Sequence, residues 1–324
     1  MGVEGEKLAI KTVKKLWKNE YFQTLLTVAL LLLIVLGGYY GAQIALGTPY
    51  PALAVASGSM LPTLNVGDLI IVQKIDPAQI KADPEGLTGD ILVYRRGNEL
   101  IVHRAVKIEK GDGVYYITTR GDNSGINDPP WSSTDLIGKV VMRIPYIGNL
   151  PLFLHSERNM YILFLAILVI LIILMLPSST TQGKKPEEST MKEGKAPKIR
   201  LGHILYIALN VLIIGLTIFS LWGSYTFWQP GATPPKATIR GMFADKQYHE
   251  SFPNVYNTNL SQGFLTYRID CQLSAGARLG VPTFAWYQFF ILVLTIFNAW
   301  EIYNFYKEWK ASKAQRSAET ETST

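Results

Sequence analysis

The chain has 324 residues, of which 48% are hydrophobic and only 17% are charged. Soluble globular domains carry about 25% charged residues, so this composition predicts a protein embedded in lipid. The single cysteine excludes an intramolecular disulfide, and four scattered histidines argue against a zinc site, so we expect neither a metal nor a cofactor.

Four segments are long, apolar and nearly free of charge, which is typical of helices that cross a membrane. They lie at 21–46, 160–177, 201–222 and 284–306. The first is longer than the apolar stretch of a cleaved leader, which is about 7–15 residues, so we interpret it as a retained anchor. The spans lack a central charge, which argues against a transporter and assigns function to the segments outside the bilayer.

Basic residues predict the orientation in the membrane. Lysine and arginine cluster before the first span in 1–20, in the linker 178–200 and in the tail 307–324. Because basic segments stay in the cytoplasm, 47–159 and 223–283 are predicted to lie outside it. The net charge of +6 then reflects topology rather than a nucleic-acid surface. The linker and the part of the tail after Lys313 are polar, which predicts flexible segments.

The outer segment 47–159 is predicted to be a β domain. Short runs rich in β-branched residues alternate there with turn signals. The sequence KGDG at 110–113 predicts a hairpin, because Asp and Gly tolerate positive φ. The smaller segment 223–283 alternates aromatic and polar residues, which predicts a second β-rich module. The predicted strands of the first domain are 53–57, 68–74, 90–94, 100–108, 115–120 and 139–143.

The segment 47–159 contains a set of side chains suited to acyl transfer. Ser59 follows a glycine, which permits a sharp turn, although an ordinary Ser-Gly turn has the same pattern. His103 could act as a general base near neutral pH, or lie in the core as a structural histidine. Asp122 and Asp128 follow in a turn-rich loop, where a carboxylate either orients an imidazole or closes an Asx-turn.

Four short stretches contain Ser59, His103 and Asp122, and Asp128 lies shortly after the last of them. Together they resemble the type I signal peptidases over about residues 20–145. The stretches are SGSMLP at 57–62, GDILVY at 89–94, IVHR at 101–104 and GDN at 121–123. Bacterial members have lysine where this chain has His103, so the resemblance is to the archaeal and endoplasmic-reticulum subtype. Ser124 stands where the family often has a second asparagine, which is a mild departure.

The resemblance implies a fold and a function. The expected fold is a multi-span α-helical membrane protein with an extracytoplasmic, mostly-β catalytic domain and a second small β-rich outer module. The expected function is a membrane-bound serine endopeptidase that removes signal peptides from exported preproteins. Its partners would be those peptides, the bilayer and the export translocon. Its place would be the archaeal cytoplasmic membrane, or the endoplasmic-reticulum membrane of a eukaryote.

The resemblance also implies roles for single residues. Ser59 would be the nucleophile and His103 the general base. Sequence does not decide which aspartate orients His103; we favour Asp128, with Asp122 in support. The Ser57 hydroxyl and the Ser59 N–H would form the oxyanion hole. The substrate is expected to bind as an extended strand with small residues at −1 and −3. The predicted lining residues are Leu53, Val55, Ala56, Met60 and Val102.

Two other functions are compatible with parts of this pattern. A non-catalytic membrane subunit could bind preproteins with the same fold, but the intact serine, histidine and aspartates disfavour it. A serine–lysine peptidase could use Lys74 or Lys107 as its base. Lys107 would share the strand face of His103 but lie about 13 Å away from it.

Residues 201–324 lie outside the resemblance. Substrate presentation, docking to a translocon and stabilisation of the catalytic domain are all compatible with this half. Asn259-Leu260-Ser261 has the pattern of an N-glycosylation acceptor on the outer side, although such a match also arises by chance. His249 and Cys271 are predicted to be structural.

Overall fold

The computed structural model describes residues 17, 19–154 and 201–322. Three of its helices contain segments that are long and apolar enough to cross a membrane, at Tyr21–Leu46, Gly202–Trp222 and Trp286–Lys313. The predicted spans 21–46, 201–222 and 284–306 are thus confirmed as long apolar helices. The predicted span 160–177 and the linker 178–200 lie outside the described residues. The helices are α1 (Glu20–Leu46), α2 (Asn149–Leu154), α3 (Leu201–Trp222), α4 (Met242–Glu250) and α5 (Trp286–Thr322).

Helix α1 begins and ends at clear local signals. The Asn19 side chain accepts hydrogen bonds from the N–H groups of Tyr21 and Phe22, which otherwise have no partner within the helix. Gly47 ends the helix in the left-handed conformation, with φ of 65°. The Leu46 carbonyl then accepts a hydrogen bond from the Lys74 N–H at 2.8 Å, so the helix end is attached directly to the β domain.

The β domain is one mixed sheet of eleven strands. The strands of the first half that belong to it are β1 (Ala52–Ala54), β2 (Leu69–Gln73), β3 (Ile91–Arg96), β4 (Glu99–Gly111), β5 (Val114–Arg120), β6 (Trp131–Ser132) and β7 (Leu136–Ile144). These pair antiparallel, with β3 between β7 and β4. Except for β6, they match the predicted strands to within a few residues.

The predicted hairpin is present between β4 and β5. Asp112 and Gly113 have φ of 50° and 81°, so both central residues of the turn are left-handed, as the twist of a hairpin requires. The strand predicted at 53–57 ends earlier, at Ala54. Beyond it the Val55 N–H still donates to the Asp68 carbonyl, and the Ala56 carbonyl accepts a hydrogen bond from the Thr233 N–H of the second half.

Strand β3 is buried on both faces of the sheet. Ile91 and Val93 pack in one apolar cluster, and Leu92 packs in another on the opposite face. Because successive side chains of a strand alternate, a strand covered on both faces becomes a continuous apolar run, as ILVY does here. Strand β3 pairs with the neighbouring strand β4 and thereby fixes its position, and His103 of β4 lies opposite Leu92 of β3.

The prediction of a second, separate β-rich module at 223–283 is wrong. The segment is β-rich, but most of its strands extend the same sheet, since the strand Thr283–Phe284 pairs in parallel with β7 at Thr283 and Arg143. Strand patterns in a sequence do not reveal a pairing partner so far along the chain. The strands of this half are β8 (Ser224–Trp228), β9 (Lys236–Arg240), β10 (Asn257–Gly263), β11 (Thr266–Leu273), β12 (Gly276–Arg278) and β13 (Thr283–Phe284).

The tail predicted to be flexible is helical over most of its length, because α5 continues to Thr322. Its alanine, glutamine, arginine and glutamate residues have high helix propensity, and extending an existing helix avoids the cost of nucleation. Within the bilayer segments, α5 packs against α3, where Asn298 Nδ2 donates to Asn210 Oδ1 at 2.8 Å.

Candidate active site

Ser59 lies in a turn directly after β1. The Leu61 N–H donates to the Gly58 carbonyl, which closes the turn and turns the chain away from the strand. The loop around Asn123 binds this turn on its other side, since the Asn123 N–H donates to the Ser59 carbonyl at 2.9 Å. The hydroxyl oxygens of Ser57 and Ser59 are 3.5 Å apart. Both serines predicted to act on a substrate carbonyl therefore lie side by side.

His103 lies on β4 with its Nδ1 atom 2.6 Å from Asp128 Oδ2. Both side chains are largely buried, at 13% and 14% exposure. Thr119 Oγ1 donates to the same carboxylate oxygen at 2.7 Å. Burial alone would raise the pKa of Asp128, but the hydrogen bonds from His103 and Thr119 outweigh it and hold that pKa below its usual range. Asp128 is thus a carboxylate that can orient the ring and stabilise its cation.

The other ring nitrogen of His103 faces the turn formed by residues 58–61, the serine turn. A Cβ atom at Gly121 would lie 3.1 Å from His103 Nε2 and 2.6 Å from the Ser59 carbonyl oxygen, so only glycine fits between them. Ser59 and His103 also line one cavity of about 300 Å³. The structure therefore brings the predicted nucleophile and base to one shared cavity.

Asp122 contacts a different partner from the one expected of a residue that orients His103. Arg104 binds it in a fork, with Nε 2.8 Å from Oδ1 and Nη2 2.7 Å from Oδ2. Thr63 donates to the same carboxylate. Burial would raise the pKa of Asp122, but the Arg104 charge outweighs it and lowers that pKa. Of the two predicted aspartates, Asp128 contacts His103. Asp122 binds Thr63 and Arg104 instead, and so links the chain that follows Ser59 to strand β4.

The cavity lies between the chain at 54–57 and the strand at 100–103. Four of the predicted lining residues border it, namely Val55, Ala56, Met60 and Val102. Leu53 does not border the cavity, and its side chain packs against the apolar cluster beside β3. Ala54 also borders the cavity and belongs to the predicted segment 53–56, as Leu100 and Ile101 belong to the predicted strand around Val102. Sequence reasoning missed Leu64 and Arg96. Leu100 and Ile101 stand beside His103 in the predicted strand, so their position was a usable signal, whereas Arg96 borders the cavity only through pairing of β3 with β4.

Neither lysine considered as an alternative base borders the cavity. Lys107 was expected to share the strand face of His103, and this expectation is wrong. A β-bulge between Ala105 and Lys107 pairs Ala105 with Thr119 but Lys107 with Thr118, so Lys107 is turned to the other face. Its ammonium group pairs instead with Glu109. Lys74 lies at the end of α1, where its side chain approaches Gly47.

Three further residues were singled out in the second half of the chain, namely His249, Cys271 and Asn259. His249 is buried, and its Nδ1 atom lies 2.8 Å from the Asp245 carbonyl oxygen. Cys271 is buried, and burial raises the pKa of its thiol to about 11. Asn259 is exposed on β10. Structural roles for His249 and Cys271 stay predictions, as does glycosylation of Asn259.

A buried ion cluster lies beneath the serine turn. Arg143 of β7 is 2% exposed, its Nη1 atom is 3.3 Å from Asp68 Oδ2, and its Nη2 atom pairs with Asp245. Burial raises the pKa of Asp68 from its ordinary value of 3.8 to about 6, although Arg143 opposes the shift. The pKa of Asp245 is lowered instead, because the charges of Arg143 and His249 outweigh burial. The two carboxylates thus differ in how readily they take a proton.

We expect the free energy of unfolding to fall as pH rises from about 3.8 to about 6, because the Asp68 carboxyl group loses its proton over this range. A carboxyl group whose pKa is raised by folding contributes stability that is present below about 3.8 and lost as pH passes about 6. Two pKa units correspond to on the order of 3 kcal/mol. The charged groups facing Asp68 are Arg143, Asp245 and Arg240.

Asp68→Asn should remove this dependence. The Asn65 N–H donates to Asp68 Oδ2, and Arg143 Nη1 lies 3.3 Å from the same oxygen, so an amide oxygen in that place can keep both contacts. Melting temperatures of wild type and variant, measured from pH 4 to pH 8, should diverge in favour of the variant as pH rises. A difference that stays constant over this range would show that Asp68 does not titrate there.

Comparisons with known proteins give one consistent relationship. No family model matches the chain. The chain is 30% identical over 165 residues to the signal peptidase complex catalytic subunit sec11 of Dictyostelium discoideum, covering 47% of this chain and 88% of that protein. It is 27% identical over 167 residues to SEC11C of Homo sapiens, covering 48% and 84%. It is 30% identical over 154 residues to SEC11 of Pyricularia oryzae, covering 44% and 87%.

Proposed function

Because this chain belongs to the family of signal peptidase complex catalytic subunits, which are serine peptidases, we propose that it cleaves signal peptides with Ser59 as nucleophile. The observation that carries the proposal is the contact of His103 Nδ1 with Asp128, beside a cavity that Ser59 and His103 share. An intact set of this kind disfavours the alternative of a non-catalytic preprotein-binding subunit.

The proposed first step forms an acyl-enzyme. His103 Nε2 takes the proton of the Ser59 hydroxyl while the oxygen attacks the scissile carbonyl carbon. Asp128 holds the ring with its proton on Nδ1 and stabilises the cation that forms. The negative oxygen of the tetrahedral intermediate would accept hydrogen bonds from the Ser59 N–H and the Ser57 hydroxyl.

The second half of the reaction returns the enzyme to its starting state. His103 gives its proton to the leaving amine, which becomes the new N-terminus of the mature protein. Water then enters, His103 takes a proton from it, and the hydroxide attacks the ester carbonyl. The Ser59 oxygen recovers its proton as the signal peptide leaves with a free carboxyl group.

The cavity supports a preference for small residues next to the cleaved bond. Its floor and walls near Ser59 include Ala54, Ala56 and Met60, and the space amounts to about 300 Å³. A polypeptide that lies extended between 54–57 and 100–103 would direct alternate side chains toward the protein. Those at −1 and −3 would then enter the cavity, and the side chain at −2 would point away.

A preprotein with alanine at −1, −2 and −3 tests this specificity. Replacing the alanine at −1 by tyrosine should stop cleavage by the purified enzyme in lipid vesicles. Tyrosine at −2 is the matched control and should leave the bond cleaved at the same position. Mass spectrometry of the mature N-terminus reads the outcome. Cleavage of the −1 tyrosine substrate at the original bond would refute the proposed pocket assignment.

The proposed orientation places the catalytic domain outside the cytoplasm. Pairing of β7 with β13 in one sheet supports the proposal that both outer segments lie on the same side of the membrane. The basic segment 1–20 and the tail 307–324 would lie in the cytoplasm. We propose the bilayer, secretory preproteins and the export translocon as partners, in an archaeal cytoplasmic membrane or an endoplasmic-reticulum membrane.

A further inference from the structure

The second half of the chain contacts both loops that carry the proposed catalytic residues. We call residues 57–65 the serine loop and residues 121–128 the aspartate loop. The matches to SEC11 proteins cover less than half of this chain, so a large part of it has no counterpart in those alignments. Helix α4 and strand β12 belong to 201–322 and lie against these two loops. The contacts are buried and polar, which distinguishes them from ordinary apolar packing.

The contact with the serine loop centres on Asp245 of α4. Its Oδ1 atom accepts a hydrogen bond from Asn65 Nδ2 at 3.1 Å, and its Oδ2 atom pairs with Arg143. Arg143 in turn donates to the Thr63 carbonyl at 3.3 Å. Asn65 and Asp245 are both buried, at 6% and 1% exposure. One carboxylate of the second half thus binds the serine loop directly and also through an arginine.

The contact with the aspartate loop is made by β12 and the residue after it. Arg278 Nη1 donates to the Asp122 carbonyl at 3.3 Å. The Leu279 carbonyl accepts from Arg104 Nη2 at 3.1 Å, the same nitrogen that binds the Asp122 carboxylate. Arg104 directly follows His103 on β4. The second half therefore also holds the arginine beside the proposed base.

The two contacts form one connected network. Thr63 of the serine loop donates to the Asp122 carboxylate, so the loops also bind each other. Buried ion pairs contribute little net stability compared with apolar packing of the same volume, because desolvation offsets their attraction. A network of directional bonds does, however, restrict the positions that the two loops can occupy.

We propose that the second half is a positioning element of the active site, and that Asp245 is a positioning residue for the serine loop. The inference rests on the proposed function for its effect on turnover. Asp245 lies beneath the loop rather than in the cavity, so its loss should lower kcat and leave KM nearly unchanged. A displacement of the nucleophile by about 1 Å can cost about 100-fold in rate.

Two double variants isolate the hydrogen bond from the buried charge. Arg143→Met with Asp245→Asn removes both charges and keeps an acceptor for Asn65. Arg143→Met with Asp245→Leu removes the acceptor as well. Below the melting temperature of both, we expect the leucine variant to have about 10- to 100-fold lower kcat than the asparagine variant, with KM within about two-fold. Equal kcat values would overturn the proposal.

Asn65→Ala completes a cycle that separates positioning from general stability. It should lower kcat more in the asparagine background than in the leucine background, because the bond to residue 245 is already absent in the latter, whereas the hydrogen bond from Arg240 Nη1 to Asn65 Oδ1 is lost in both. Equal effects in both backgrounds would contradict a role for the bond to residue 245. Lys246→Gln is the matched control on α4, since its ammonium group pairs with Glu250 near the surface, and it should leave activity unchanged.

Hydrogen exchange separates failure of this inference from failure of the proposed function. Amides of 58–65 should exchange faster in the Asn65→Ala single variant than in wild type, a result that needs no substrate and no leucine variant. Unchanged exchange would overturn the inference. If wild type cleaves no preprotein but exchange responds as expected, the proposed function fails and the positioning contact stands.

Discussion

Ser59→Ala is expected to lower kcat for preprotein cleavage by about 10⁶-fold, because the acyl-enzyme cannot form without the hydroxyl. His103→Ala should have an effect of similar size, and combining the two should add little, since the pair acts as a unit. Time courses of preprotein cleavage by purified enzyme in vesicles measure both. Losses this large fall below detection, so the expected result is an intact preprotein.

Ser57→Ala is the matched control for this experiment. Its hydroxyl lies 3.5 Å from that of Ser59 but is assigned only to the oxyanion hole. Removing one such donor costs about 100- to 1000-fold, so slow cleavage at the same bond should persist. Cleavage by Ser59→Ala at a rate comparable to that of Ser57→Ala would assign the nucleophile to another residue.

Asp128→Asn and Asp122→Asn are expected to fail in different ways. Asp128 accepts from His103 Nδ1, so an amide there permits the wrong ring tautomer, and kcat should fall by about 10⁴-fold with the fold intact. Asp122 neutralises Arg104, whose side chain is only 3% exposed. Leaving that guanidinium buried without its charged partner should lower stability by about 3–5 kcal/mol.

Thermal melting and kcat, measured on the same preparations, separate the two aspartates. Asp128→Asn should melt close to wild type and be nearly inactive. Asp122→Asn should melt at a clearly lower temperature and, while folded, lose less activity. The opposite pattern would exchange the roles assigned to the two carboxylates, and equal losses in both quantities would remove the distinction.

Local features of the site could be predicted from the sequence because short-range rules decide them. The turn at Asp112 and Gly113, the strand that carries His103 and the serine turn after α1 all follow from residue types within a few positions. The division of labour between the aspartates does not. It depends on Arg104, which follows His103 and therefore points to the opposite face of β4, where Asp122 meets it.

Features that depend on pairing between distant residues could not be predicted from local sequence patterns. Thr283 pairs with Arg143 across 140 positions, and strand patterns carry no record of such a partner. The turned face of Lys107 follows from one extra residue in β4, which strict alternation ignores. The helical tail follows from continuity with α5, whereas composition alone suggested a flexible segment.

The attachment of α1 to the sheet has a consequence for where exported chains are cut. The Leu46 carbonyl accepts a hydrogen bond from the Lys74 N–H, and the Pro51 carbonyl accepts one from the Val72 N–H, so both ends of the short connection 47–51 are held at the C-terminal end of β2. Ser59 then stands at a constant height above the end of α1, and the interval between a signal helix and its cleaved bond is expected to be nearly uniform among substrates.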